Sequence, residues 1–388
     1  MKKDFNKKNV DPRVAAVAIV VVLGVIQYIW WQGLVAKPKK TTGFGSQTTG
    51  MQPPSVNVLG REDVLVETFA GSLDPGQTDG PARDSRFDGP TGLAMDASGN
   101  LYVADSRNNR IRVLSPDGKT STLAGGDAGF QDGDAKQARF NAPTGIAVAP
   151  DGTVYVADTL NHRIRAISKG MVSTISGGAA GKVDGAAANA RFNLPSGLSI
   201  GAPTAGHGSP LYVADAGNRS IRAVDLGPSP TVRTVRVVPG SPLSVAAITG
   251  AGPEDIVAAV PEAQIISTTT QTLKAIPIDA REQAGIVKPG TFELKNPVSL
   301  WPSAANKKEW FALDSGHAVV FLIRNGKAEV IAGAAAPKAN MTGFRDNFGN
   351  RASFGLMGGI VGDGKGHLYI SDTSNNAIRK ITLPKDLY

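Results

Sequence analysis

One phrase recurs along this chain and restricts it more than any other feature. Residues 101–114 read LYVADSRNNRIRVL, and the phrase returns as VYVADTLNHRIRAI at 154–167, LYVADAGNRSIRAV at 211–224 and LYISDTSNNAIRKI at 368–381. A weaker copy, WFALDSGHAVVFLI, covers 310–323, and IVAAVPEAQII at 256–266 fits the same frame with Ala259 in place of the aspartate. The six anchors, at 105, 158, 215, 259, 314 and 372, lie 53, 57, 44, 55 and 58 residues apart. Leu, Tyr and Val before the Asp favour extended backbone, as do Ile and Val after the Asn-containing turn, so each copy predicts a hairpin. A hairpin repeated at this period is the mark of a propeller or solenoid.

Each strong copy sits in a longer unit. RFDGPTGLAM (86–95) supplies a strand before the first hairpin and TSTLAG (120–125) one after it, with tight turns at DASGN and SPDGK. The second unit repeats the order, with RFNAPTGIAV leading into its hairpin. Four strands in each of six units predict an all-β fold, a six-bladed β-propeller. The segment 64–71 (VLVETFAG) matches the fourth-strand pattern, whereas the last unit stops after its third strand. The N-terminal strand is therefore expected to complete the last blade and hide two sheet edges.

The combination of P-x-G-[LI], [LV]-Y-[VI]-[AS]-D and N-x-x-I-R resembles the NHL repeat family over roughly 64–383. The motifs are specific in units one, two, three and six, recognisable in unit five and only a matter of spacing in unit four. The resemblance implies a binding propeller. Related propellers include metal-dependent lactonases and a zinc-dependent lyase, whose chemistry needs acids or histidines converging on the central axis. The first strands here read TGLAM, TGIAV, SGLSI, LSVAA, VSLW and GGIVG, with small, apolar and hydroxyl groups and no ring of acids.

The repeated aspartates, Asp105, Asp158, Asp215 and Asp372, with Asp314 in the weaker copy, enter the polar turns; Asn108, Asn161, Asn218 and Asn375 follow three residues later. A carboxylate there can accept backbone N–H groups of the turn, and Arg112, Arg165, Arg222 and Arg379 stand ready as ion-pair partners. One carboxylate per unit fits a structural role better than a catalytic one. A second element, DG…RF, places Phe eight residues after Asp79, Asp132 and Asp184, and an analogous stretch follows Asp346. The Phe is expected to wedge between blades. Arg86, Arg139 and Arg191 precede it and either pair with the loop aspartates or form a basic sector for a carboxylate- or sulfate-bearing partner. Loops and turns share one face of a propeller, so Arg107, Asn109, His162 and Arg219 join them as candidate partner-binding residues.

No catalytic residues, metal ligands or cofactor are expected. His162 and His317 fall in turns of units two and five, and His207 and His367 in turns of units three and six, too far apart to share an ion. There is no cysteine. The net charge of +8 is concentrated in residues 1–40, which carry +6 and leave +2 for the rest. That balance argues against nucleic acid as a partner.

Residues 14–36 are uncharged and as a helix would span about 34 Å, enough to cross a bilayer. Tyr28, Trp30 and Trp31 suit the interface, and five Lys/Arg precede the run against three after it. The expected organisation is a cytoplasmic basic tail (1–13), a transmembrane anchor (14–36), a flexible linker rich in Gly, Thr, Ser and Pro (37–62) and the propeller (63–388). That places a single-pass protein in the plasma (inner) membrane of a bacterium, N-terminus cytoplasmic and propeller outside. A cleaved signal peptide ending at Ala36 is the alternative. The function expected is a non-catalytic scaffold binding a protein or cell-envelope ligand. Its rivals are a hydrolase or lyase with an unrecognised axial site and a structural subunit of a larger membrane assembly.

Overall fold

Alternating hydrophobicity normally leaves one sheet face wet, but strands such as Val154–Asp158 and Pro210–Asp215 are buried at every position. Each sheet is packed on both faces. The computed structural model describes residues 61–388 apart from 204–207, 248–255, 261–263, 270–271, 276–278, 281–295, 304–308, 325–326 and 334–342. The expected tail, anchor and nearly all of the linker lie outside the described residues. Among the described residues no helix is long and apolar enough to cross a membrane.

The described strands form six sheets, named here in chain order by their innermost strands: Pro90–Met95, Pro143–Val148, Pro195–Ile200, Ser244–Ala247, Pro297–Pro302 and Met357–Gly362. Five sheets have five strands and the fourth has four. Four strands per unit undercounts the five. The extra strand is a two-residue piece from the preceding DG loop, such as Gly80–Pro81 on Lys119–Gly125 or Gly133–Asp134 on Met171–Gly177. Two residues carry no hydrophobic period, so this strand leaves no trace in the sequence pattern. In sheet five the outer piece, Asp279–Ala280, runs parallel to its neighbour.

Closure follows the N-terminal strand. Leu65–Gly71 pairs antiparallel with Ala377–Thr382, so sheet six is built from both ends of the described chain. Apolar clusters lie between successive sheets all the way round. Phe140, for example, packs with Ile111 and Ala124 of sheet one and Val156 and Ile167 of sheet two. Phe87, Phe192 and Phe354 occupy the same wedge elsewhere and are fully buried, as their motif predicted. The result is a β-propeller.

The innermost strands approach so closely that the glycine of P-x-G is obligatory. A Cβ on Gly145 would overlap the carbonyl oxygen of Ser196, and one on Gly92 that of Thr144. Hydroxyls complete the joint. Thr91 Oγ1 donates to Thr144 O at 3.1 Å, Thr159 Oγ1 to Pro195 O at 2.8 Å and Ser196 Oγ to Pro242 O at 3.0 Å. Hydroxyls of these strands, and of the turn that holds Thr159, therefore tie sheets one to four in succession.

Candidate functional site

The polar turns and DG…RF loops meet on one face, and a buried guanidinium in each regular sheet fixes them there. Arg112 is fully buried with all five N–H donors used. Its Nη1 donates to Asp105 Oδ2 at 2.9 Å and to Arg86 O at 2.9 Å. Its Nη2 donates to Asp79 Oδ1 at 2.6 Å and Thr78 O at 2.8 Å, and Nε to Asp79 Oδ1 at 3.1 Å. The guanidinium also lies 5.1 Å from the Phe87 ring centroid. Arg165 repeats the set with Asp158, Asp132, Arg139 O and Gln131 O; Arg222 does so with Asp215, Asp184, Arg191 O and Val183 O. Arg379 keeps Asp372, Asp346, Ser353 O and Arg345 O, but its Nε has no partner among the described residues.

Two expectations need correction. Asp79, Asp132 and Asp184 pair with Arg112, Arg165 and Arg222, not with Arg86, Arg139 and Arg191. A bulge at the same place in each sheet accompanies the exchange: the next strand has one extra residue opposite the step Ile111–Arg112, Ile164–Arg165 or Ile221–Arg222. Such a bulge re-aims side chains, and here the arginine ends under the loop. In the regular sheets the turn carboxylates also use Oδ1 to accept a backbone N–H of the loop rather than one of their own turn. Asp105 accepts from Asp88 N–H at 2.8 Å, Asp158 from Asn141 N–H at 2.7 Å and Asp215 from Asn193 N–H at 2.8 Å. Asp372 accepts from Gly355 N–H at 2.8 Å. Among the described residues, Asp314 alone of the five also accepts a backbone N–H of its own turn, that of Gly316 at 2.9 Å.

Asn108, Asn161, Asn218 and Asn375 complete the joint. Each Nδ2 bridges its turn aspartate to a loop carbonyl, that of Gly76, Gly129, Gly181 or Gly343. Burial pushes the Asp105 carboxyl up to about 6 against the opposing pull of Asn108, Asp88 N–H and Arg112. It raises Asp158, Asp215 and Asp372 in the same direction.

The remaining candidates divide by how far the fold uses them. Arg86 is half-buried and its Nη1 donates to the carbonyls of Asp84 and Ser85, each at 3.1 Å. Arg107 pairs with Asp88 at 3.1 Å. Asn109, His162 and Arg219 all hold left-handed backbone at the end of their turns. Asn109 Oδ1 accepts from Ala142 N–H at 2.9 Å and His162 Nδ1 from Leu194 N–H at 3.1 Å, so both reach across to the next sheet's loop. Burial and the Arg163 charge lower the His162 pKa. Arg139, Arg191 and Arg219 are exposed.

His317 occupies the asparagine position of sheet five, with Nδ1 2.7 Å from Asp314 Oδ2, and Phe321 stands where other sheets have arginine. His367 Nδ1 lies 2.7 Å from Asp363. Neither is the solvated turn residue the sequence suggested. His207 lies outside the described residues. Among the described residues no group of three or more His, Asp or Glu is placed to hold a metal.

Sequence reasoning missed Phe130 and Arg163. Phe130 follows the loop glycine of sheet two and is 46% exposed, with the Arg163 guanidinium 3.8 Å over its ring. The signal was an aromatic residue where the neighbouring loops carry Gln77 and Lys182.

Residues 87–114 match the NHL repeat and residues 127–168 the Teneurin NHL domain. Teneurin-3 of Danio rerio is 45% identical over 102 residues, which cover 22% of this chain and 4% of that protein. NHL repeat-containing protein 2 of Bos taurus is 33% identical over 170 residues, 39% of this chain and 22% of that protein. The chain therefore spans a quarter or less of the length of these curated relatives. In structure, it is similar to an auxiliary nutrient binding protein from Bacteroides ovatus, with a TM-score of 0.60 at 14% identity over 83% of this chain and 77% of that one. The chain is a β-propeller that carries sequence matches to the NHL repeat in its first two sheets.

Proposed function

We propose that the six sheets act as the blades of one ring that serves as a non-catalytic scaffold for a protein or cell-envelope ligand. Residues 14–36 would tether this ring to the membrane, with the propeller outside the cytoplasm. The observation that carries the binding reading is the face of turns and loops. Buried Arg–Asp networks hold its backbone, so the exposed Arg139, Arg191 and Arg219 stand on rigid supports. Preorganised loops lose little entropy on binding. The inner strands favour this reading over a hydrolase or lyase, because their hydroxyls Thr91, Thr144 and Ser196 donate to backbone carbonyls of neighbouring sheets. A scaffold role also agrees with the binding role named for the Bacteroides ovatus structure, with which this chain shares the fold.

The test is affinity capture of the full-length protein from membranes, beside a variant with Arg139 and Arg191 changed to Glu. The reading expects envelope or membrane proteins to be captured by the first and lost from the second. Capture unaffected by the charge reversal would move binding off this face. A mature N-terminus at Lys37 in the native protein would replace the anchor with a cleaved signal.

A further inference from the structure

Sheets two and three differ from the rest of the face in one respect: cationic and apolar groups alternate there without acidic partners. Arg163 stacks 3.8 Å over Phe130 while its Nη1 donates to Asn161 O at 2.9 Å, which fixes the guanidinium plane. The stem of Arg139 runs beside Gly129, the residue before Phe130: a Cβ on that glycine would lie 3.4 Å from Arg139 Cδ. Leu160, 40% exposed, belongs to the turn that leads into Arg163.

Sheet three continues the arrangement. His162 O accepts from Gly178 N–H, and a Cβ on Gly178 would lie 3.7 Å from Arg191 Nη1, so that guanidinium sits beside the end of the sheet-two turn. Val183, 42% exposed, bridges to Arg191 through the backbone. Arg139, Arg163 and Arg191 form no ion pair among the described residues, while Arg165 and Arg222 beneath them absorb the loop aspartates.

We propose that Arg139, Arg163 and Arg191, interleaved with Phe130, Leu160 and Val183, dock an acidic peptide segment of a protein partner that alternates carboxylates with apolar side chains. The proposal rests on the binding reading above and names the partner's chemistry. Guanidinium forks match carboxylates bidentately, and a fork stacked on an aromatic ring is already oriented. The three exposed apolar side chains give the partner surface to bury, and the mixture of arginine with aromatic residues is that of an interface core. The interleaved Phe130, Leu160 and Val183 favour a peptide over a polyphosphate, which would leave their apolar surface in water. The chain's own linker bears Lys37, Lys39 and Lys40 and has the wrong sign.

The experiment is fluorescence anisotropy of the purified chain with a labelled peptide of alternating Glu and Leu. Saturable binding that weakens as salt is raised is expected. The double variant Arg163→Gln/Arg191→Gln should lose affinity at least about tenfold and Phe130→Ser several-fold. Lys119→Gln, in the tight turn on the opposite face, should bind as the wild type does, and melting temperatures confirm that each variant folds. Equal binding by the double variant, or equal binding of a peptide with Gln in place of Glu, overturns the proposal. So does tighter binding of anionic vesicles or single-stranded RNA through the same arginines. If no peptide binds while membrane partners are still captured and still lost with Arg139 and Arg191, the scaffold reading stands and the acidic-peptide assignment falls.

Discussion

Sheets two and five answer the same structural demand with different chemistry. In sheet two, buried Asp158 faces Arg165 and Asn161, and Arg165 in turn grips the outer loop through Asp132. In sheet five, Asp314 keeps its place and its bond to the loop, from Asn296 N–H at 2.8 Å, but faces His317, with fully apolar Phe321 at the arginine position. Both sheets keep the bulge before that position. The carboxylate that ties turn to inner strand is therefore common to both. The arginine accompanies the DG…RF motif, and sheet five, whose sequence lacks that motif, lacks the arginine. Buried ion pairs of this kind bring little net stability over an apolar residue of similar size, so a phenylalanine there is physically reasonable.

Four measurements sharpen or break this contrast. The largest effect should come from cutting the regular sector at its seam. A chain starting at Ser72 lacks Leu65–Gly71, which opens the edge of Ala377–Thr382 and leaves Asn347–Phe348 unpaired, and is expected to lose its cooperative unfolding transition. If it melts like a chain starting at Lys37, the strand is dispensable. Next, Arg165→Ala leaves Asp158 and Asp132 without their cation and should cost about 3–5 kcal/mol in urea unfolding. A cost near zero would mean that sheet two tolerates the loss as sheet five does.

Gly145→Ala places a methyl group against the Ser196 carbonyl, and should cost about 1–3 kcal/mol. Gly126→Ala, with open space around it, is the control and should be close to neutral. Equal effects would show that the inner strands can part without penalty.

The smallest effect concerns pH. The His162 pKa is lowered in the folded state from 6.5 by partial burial of the ring and by the nearby Arg163 charge. Its contribution is present above 6.5 and is lost as pH falls, since the unfolded chain then takes up the proton first. His162→Asn, which copies Asn109, should shrink the drop in melting temperature between about pH 7.5 and 5.5 relative to the wild type. The raised carboxyls, such as Asp105, act in the opposite sense and cancel in that difference. An unchanged slope would show that His162 does not titrate in this window.

The candidate site was legible only where a side chain's role is local. Asp105 and Asn108 stand three residues apart and bond each other, so their motif could be read directly. The partner of Asp79 is Arg112, 33 residues away, while Arg86 is far closer in sequence; proximity along the chain pointed to the wrong cation. Arg163 and Phe130 likewise meet only because the loop folds back over the turn.

The sequence by itself determined the repeat, the hairpins, the wedge of Phe140 and its equivalents and the use of the N-terminal strand to close sheet six. Each of these follows from short-range propensity and a fixed period, which any copy of the motif carries with it. Tertiary structure decided the rest. The two-residue outer strands exist only because an edge was there to receive them. Glycine is obligatory at 92 and 145 only because another sheet's backbone lies against it. The bulge that puts Arg112 under its loop accompanies pairing between whole strands, and that pairing settles which charges are consumed within the fold and which stay free at its face.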